Sequence, residues 1–391
     1  MPRQTHVARD LENPEATIRW DDDSPIAGDF DTEKGLIRVR HGHFAGGPGH
    51  GVEVVTIDSG AAKVWVLPSR GMGIWKVETD GIRFGWDSPI AGPVHPDRVP
   101  IDGPQGLGWL EGFDEFVVRC GLENFGAPQF DDQGRLVYPL HGRIGNTPAA
   151  SLRIDVDPEK GSIELIGTML ESKLFFKRLR LRSRLRMEAA SPRIDLLDDV
   201  TNERSVDAPV QLLYHINVGT PLLGAGAKLV TALRELAPKD SLSAGEIDVF
   251  DQYEAPRSGY SERVYFSIPA SDDKGDAVTM LRDAEAKTGL AVIQSLANLP
   301  YFVLWKNTAA PSDGYVTGLE PATGFPNTHG FETRQRRVPT LAPGDGKSFR
   351  LSLVPLTDAE AIRKYASEIH ALASRVETEV HRHPKDGWSE S

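Results

Sequence analysis

Short runs of β-branched and apolar residues recur along the chain, with Gly, Pro, Asn and Asp between them. VEVVTID (52–58), KVWVLP (63–68), LRIDVD (152–157), SIELIGTML (162–170), APVQLLYHINVG (208–219), GLAVIQSL (289–296), YFVLWKN (301–307) and FRLSLVPL (349–356) each have the length and makeup of a strand between turns. Few helical periods interrupt them. Strands that follow one another without intervening helices pair antiparallel, so this many predict an all-β fold, a large antiparallel sandwich of two packed layers.

The run KRLRLRSRLRME, Lys177 to Glu188, carries Arg178, Arg180, Arg182, Arg184 and Arg186 in alternation with Leu179, Leu181, Ser183, Leu185 and Met187. That period of two predicts a half-buried strand with a solvated arginine stripe, not a basic recognition helix, whose arginines would scatter around the circumference. Carboxylates such as Glu164, Glu171, Asp195 and Asp199 are its expected cross-strand partners. The one convincing helical period is C-terminal, Thr357 to Val380, where Ile362, Tyr365, Ile369, Leu372 and Val376 recur at three- and four-residue spacing. It is expected to pack on the edge or surface of the sandwich. The tail HRHPKDGWSES reads as disordered. The chain thus divides into an extension (1–50) that adds edge strands or closes over a cleft, a sandwich domain (51–356), and a C-terminal helix and tail (357–391).

Composition narrows the function. There are 44 Lys and Arg against 56 Asp and Glu, a net charge of −12 that repels phosphate backbones and anionic lipid, so neither nucleic acid nor membrane is an expected partner. The single cysteine, Cys120, excludes an internal disulfide and any Cys-built zinc site and fits a reducing compartment. No early apolar run resembles a secretory signal, and a cytoplasmic location is expected. His41, His43 and His50 lie in the glycine-rich stretch HGHFAGGPGHG, which is expected to be a solvated loop without a metal.

Three polar positions in apolar or turn-rich context are candidates for chemistry. His215 stands mid-strand in QLLYHINVG, where an imidazole must be buried and hydrogen-bonded or face a cleft. Glu320 precedes Pro321 in GYVTGLEPATGFPN, a rigid and mostly uncharged setting that perturbs a carboxyl pKa. His141 and Arg143 flank a glycine in YPLHGRIGN. Each has a bland reading as a satisfied core or turn residue, but together they offer a proton donor and a proton acceptor. Trp86, Trp109, Phe125, Trp305 and Phe325 supply flat faces that suit a sugar ring.

The stretches VLPSRGMGIWKV, GLGWLEGFDEFVVRCGLENFG, YPLHGRIGNTPA, LLYHINVGTPLL and YVTGLEPATGFPNTHGFE are similar, in order and spacing, to the aldose 1-epimerase or galactose mutarotase superfamily, and within it to a branch known as a domain of unknown function. The resemblance covers most of residues 50 to 355. It implies a β-super-sandwich and a cofactor-independent isomerase that interconverts anomers of a free sugar or sugar acid. Glu320 would be the base at the anomeric hydroxyl, His215 the acid at the ring oxygen, and His141 a holder of the ring oxygen or a neighbouring hydroxyl. Arg143 and Arg70 would orient substrate, with Asn217, Trp305, Lys306 and Asn327 as further binding residues. Arg70, Arg83, Arg119, Arg143 and Lys306 raise the hypothesis of an anionic sugar. Hexose-phosphate mutarotases resemble HGFAR at this point, whereas Arg143 follows His141 by only two residues, so a phosphate-binding role does not transfer. The same proton chemistry could serve an epimerase at another carbon or a lyase on a uronate, and a carbohydrate-binding or sensing protein without turnover is the non-enzymatic alternative. A monomer or a homodimer is expected.

Overall fold

The computed structural model describes residues 14–390. Its strands form a 14-stranded and an 8-stranded antiparallel-rich sheet packed face to face, with two minor two-stranded ribbons. Near the middle of the larger sheet the strands Gly73–Thr79, Val117–Leu122, Gln211–Val218, Tyr315–Ala322, Tyr301–Thr308 and Arg263–Pro269 lie side by side in that order. Leu212, Tyr214, Ile216, Val218 and Leu319 point toward the smaller sheet and fill the main core. Their alternates Leu213, Val316 and Ala322 join Val118 and Cys120 in a second apolar cluster on the other face, with Trp86, Trp109, Phe113 and Phe125. Both faces being covered, these strands read as continuous apolar runs, and a polar residue within one must be partnered or functional.

Between the sheets, Arg119 donates from Nε to Asp198 at 2.5 Å and from Nη2 to Ser183 at 2.8 Å, and the Tyr214 hydroxyl donates to Asp198 at 2.7 Å. A fully buried ion pair is tolerable only when its remaining hydrogen-bonding groups are satisfied in this way. Arg119 is therefore a structural cation inside the sandwich and does not face a ligand.

The arginine run forms the strand Lys177–Glu188 with alternating burial. Arg184 pairs with Asp199 at 2.9 Å, whereas Arg178 and Arg180 share Glu203, Asp195 pairs with Arg193, and Glu171 is taken by Lys177. The C-terminal helix is shorter than its apolar period, Ala359–Ala373. Asp358 caps it by accepting from the Ala361 amide at 2.9 Å. Ile362 and Ile369 seat it on the outer face of the smaller sheet, against Val230, Met280 and Val354.

Two local expectations fail. The tail is ordered: Glu379–Val380 pairs parallel with Leu233–Pro238, and Trp388 is buried against Phe325 with ring centroids 4.8 Å apart. One aromatic anchor in a polar run suffices because its neighbours find partners, Arg337 donating to the Gly387 carbonyl and Asn327 to that of Trp388. His41 and His43 lie in the strand Gly35–Phe44, not in a loop, and His41 is held between Ser24 and Glu53, each at 2.7 Å. Together with Ile18–Trp20 and Gly28–Thr32, that strand forms one end of the larger sheet; residues 1–13 lie outside the described part. No described helix is long and apolar enough to cross a membrane.

Candidate active site

The outer face of the larger sheet carries a cavity of about 460 Å³, within the range of small-molecule pockets. Its floor is the strands of His215 and Glu320. Antiparallel register sets Ile216 opposite Leu319 and Leu213 opposite Ala322, so His215 faces Glu320 across the pair. Their Nε2 and Oε1 atoms are 3.2 Å apart. No aligned hydrogen bond joins them, and Oε1 is a fully enclosed oxygen without a partner. Gly318, two residues before Glu320, makes room for the pair, since a Cβ there would lie 2.5 Å from Oε1 and 3.0 Å from His215 Cε1.

The tautomer of His215 follows from its neighbour. Asn217 donates from Nδ2 to the carbonyls of Glu115 at 2.9 Å and His215 at 3.3 Å, which turns its Oδ1 toward His215 Nδ1 at 2.6 Å. Nδ1 must therefore carry hydrogen, and in the neutral ring Nε2 presents a lone pair to Glu320.

His141 enters from the Pro139–Gly142 turn. Its Nδ1 donates to the Phe125 carbonyl at 2.8 Å, again leaving Nε2 as the acceptor. Its ring lies 5.5 Å from that of His215 and packs edge-on against Trp109 at 4.5 Å. The turn is pinned to the end of the Val117–Leu122 strand, where Gly121 donates to the His141 carbonyl and Arg143 to that of Gly121. Gly142, at φ +71°, permits the approach, because a Cβ there would sit 2.2 Å from the Asn124 carbonyl oxygen.

Burial governs the protonation of all three groups. It holds the Glu320 carboxyl well above the usual carboxylate range, with Glu262 adding to the effect and Lys239 opposing it. Burial, then His141, pushes His215 down to about 3. Burial likewise pushes His141 down to about 4, against its bond to Phe125. Burial thus disfavours charge on all three groups, favouring the carboxylic acid at Glu320 and the neutral imidazole at His215 and His141.

Trp86, Trp109 and Trp305 line the cavity, and the Trp305 indole donates to Glu262 at 2.8 Å. Phe125 and Phe325 are buried behind it. Five of the six residues expected to bind substrate do not line the cavity. Arg70 is wholly enclosed, donating to Glu115 at 2.5 Å, Gly112 O at 2.6 Å, and Val94 O and Asn146 Oδ1 at 2.9 Å; it ties together the loops that roof the site. Arg143 pairs with Asp102 in a separate shallow cleft. Lys306 points to the opposite side of its strand from Trp305, where Nζ donates to the carbonyls of Phe250 at 3.0 Å and Gln252 at 2.6 Å. Asn327 is spent on Glu332 and the Trp388 carbonyl. Asn217 touches His215 and not the cavity. Sequence reasoning overlooked Phe113, Lys239, Glu262, Asn307 and Asp313, which also line the cavity. Only alternation along 301–307 could have pointed to one of them, Asn307 sharing a face with Trp305.

The two-sheet architecture is the galactose mutarotase-like sandwich. A solved "putative aldose 1-epimerase" from Klebsiella pneumoniae subsp. pneumoniae MGH 78578 is 30% identical, with a TM-score of 0.85 over 88% of this chain and 90% of that one. A galactose mutarotase-like protein from Clostridium acetobutylicum (13% identity, TM-score 0.54, 78% of this chain and 96% of that one) shares the fold alone. The same holds for a galactose mutarotase related enzyme from Lactobacillus acidophilus (14% identity, TM-score 0.51, 78% and 98%). The chain belongs to the family described as Domain of unknown function (DUF4432), which matches residues 49–354. No curated protein matches it in sequence.

Proposed function

We propose that this chain is a sugar isomerase of the aldose 1-epimerase type, interconverting the anomers of a free sugar or sugar acid by acid–base ring opening and closure. The observation that carries the reading is the Glu320–His215 pair, 3.2 Å apart on adjacent strands at the floor of an aromatic-walled cavity, with His141 beside it. The reaction needs one group to accept the proton of the C1 hydroxyl and another to give a proton to the ring oxygen as the C1–O5 bond breaks. Rotation about C1–C2 and the reverse transfers close the ring on the other face. A pair holding one proton meets that demand. Moving the proton from Glu320 to His215 converts the resting neutral pair into a carboxylate base and an imidazolium acid. Asn217 keeps the reactive nitrogen of His215 aimed at the cavity, and His141 Nε2 accepts a hydrogen bond from a neighbouring hydroxyl. Each positioned proton-transfer group is worth about 10²–10⁴-fold. Glu320→Gln, which preserves shape and removes the exchangeable carboxyl proton, should abolish catalysed anomer exchange while leaving the fold intact; a fully active variant would remove Glu320 from the mechanism.

A further inference from the structure

The turn between the strands Ser162–Lys173 and Lys177–Glu188 exposes Leu174, Phe175 and Phe176 to 79%, 84% and 63%. Three consecutive large apolar side chains standing in solvent are unusual on a monomeric surface. They are also held in shape. Phe175 has φ +68°, a left-handed conformation that a bulky residue rarely adopts. The Arg204 guanidinium grips the carbonyls of Phe176 and Phe175 at 2.5 and 3.1 Å, and the Lys173 ammonium lies 4.8 Å from the Phe176 ring centroid. A strained, braced apolar tip is built to be covered.

A second apolar surface lies beside it. Leu107 and Leu110 at the cavity mouth, and Phe130 and Val137 on the neighbouring ribbon Gln129–Phe130 with Leu136–Tyr138, are each at least one third exposed. The two surfaces belong to one face. Lys177 at the base of the tip binds Glu123 at 2.9 Å, and the adjoining Asn124 donates to the carbonyl of Pro139, two residues from Val137, at 2.8 Å.

We infer that this face is a two-fold interface between copies of the chain, the Leu174–Phe176 tip of one copy seating on the Leu107, Leu110, Phe130 and Val137 rim of the other. Area supports a second copy. At about 200 Å² for a phenylalanine, the tip offers about 450 Å² of apolar surface. The rim offers about 300 Å² by the same measure, so two tips on two rims bury about 1,500 Å², the size of a standard stable interface. A two-fold axis needs both complementary surfaces on one chain, and both are present. Local charge agrees: Lys173 at the tip, and Glu111 and Asp132 beside the rim, form no ion pair among the described residues, so a cationic tip meets acidic groups at the rim of another copy. In such a dimer each tip borders the mouth of its partner's cavity.

Sedimentation velocity of the full chain tests this, with Phe175→Asp on the tip and Val137→Asp on the rim as separate variants. Wild type should sediment at twice the 42.8 kDa chain mass, and each variant at the single mass with unchanged circular dichroism. Wild type at the single mass across the dilution series, or a dimer that survives both substitutions, overturns the inference. So does co-sedimentation of monomeric wild type, but not of Phe175→Asp, with phosphatidylglycerol vesicles, which would assign the tip to lipid.

Discussion

Acid should expose the burial of His215 directly. An imidazole in the unfolded chain takes a proton below about pH 6.5, whereas His215 in the folded chain resists until about pH 3. Between those values the unfolded chain binds more protons, so folding stability falls as pH falls through this window and is unaffected by His215 at pH 7. At about 1.4 kcal/mol per pH unit, the contribution lost between pH 6.5 and pH 4 is about 3 kcal/mol, a large part of a typical folding free energy of about 5–15 kcal/mol. His215→Asn provides the control, because its amide nitrogen can stand where Nδ1 stands and still donate to Asn217. Urea unfolding of both proteins at pH 7, 6, 5 and 4 measures the difference. The variant is expected to be the less stable protein at pH 7 and to gain on wild type by about 3 kcal/mol on acidification to pH 4. Because Glu320 and His141 lie against His215 and couple to it, the comparison is repeated in a Glu320→Gln, His141→Asn background, where neither neighbour titrates. A difference that stays constant from pH 7 to pH 4 would mean that His215 titrates like a solvated histidine, and the argument from burial would be wrong.

Glu320 shifts in the opposite direction, so its stability term has the opposite sign. The folded carboxyl stays protonated above the ordinary glutamate range, and wild type should lose stability as pH rises above about 4.5. Glu320→Gln should melt progressively higher than wild type toward neutral pH, and thermal melts that run parallel across that range would contradict the assignment. Gly318→Ala places a methyl 2.5 Å from Glu320 Oε1; it should cost about 1–3 kcal/mol by overpacking and lower turnover, and a variant with wild-type stability and rate would show that the pair tolerates displacement. Arg143→Ala should change neither turnover nor KM, since the side chain pairs with Asp102 outside the cavity and an exposed ion pair is worth about 0–1 kcal/mol. A several-fold rise in KM would return Arg143 to the substrate.

The layered β architecture was readable because strand periods are local: the alternation along Lys177–Glu188 appears in the structure as alternating exposure. Glu320 and His215 were visible as ionisable residues in runs whose two faces are both buried, and the family resemblance assigned them to particular atoms of a sugar. The binding residues went astray for a physical reason. Sequence displays a charge but not its partner, and Arg70 is neutralised by Glu115, 45 positions away, while Lys306 is absorbed by backbone carbonyls of a distant loop. Lys239 and Glu262 reach the cavity only through the pairing of the strands Leu233–Pro238 and Arg263–Pro269, which no local pattern announces. The tail misled in the same way, since the partners that order it, Phe325, Asn327 and Arg337, lie fifty or more residues upstream.

The most direct test of the proposed reaction is NMR exchange spectroscopy of anomeric protons over free hexoses, pentoses, 6-deoxy sugars, uronates and sulfosugars, with wild type beside Glu320→Gln. The account predicts accelerated exchange between anomers of at least one of these sugars with wild type, and the uncatalysed rate with the variant. Shifted or broadened sugar signals without accelerated exchange would show a cavity that binds sugar but does not interconvert its anomers, and would contradict the account.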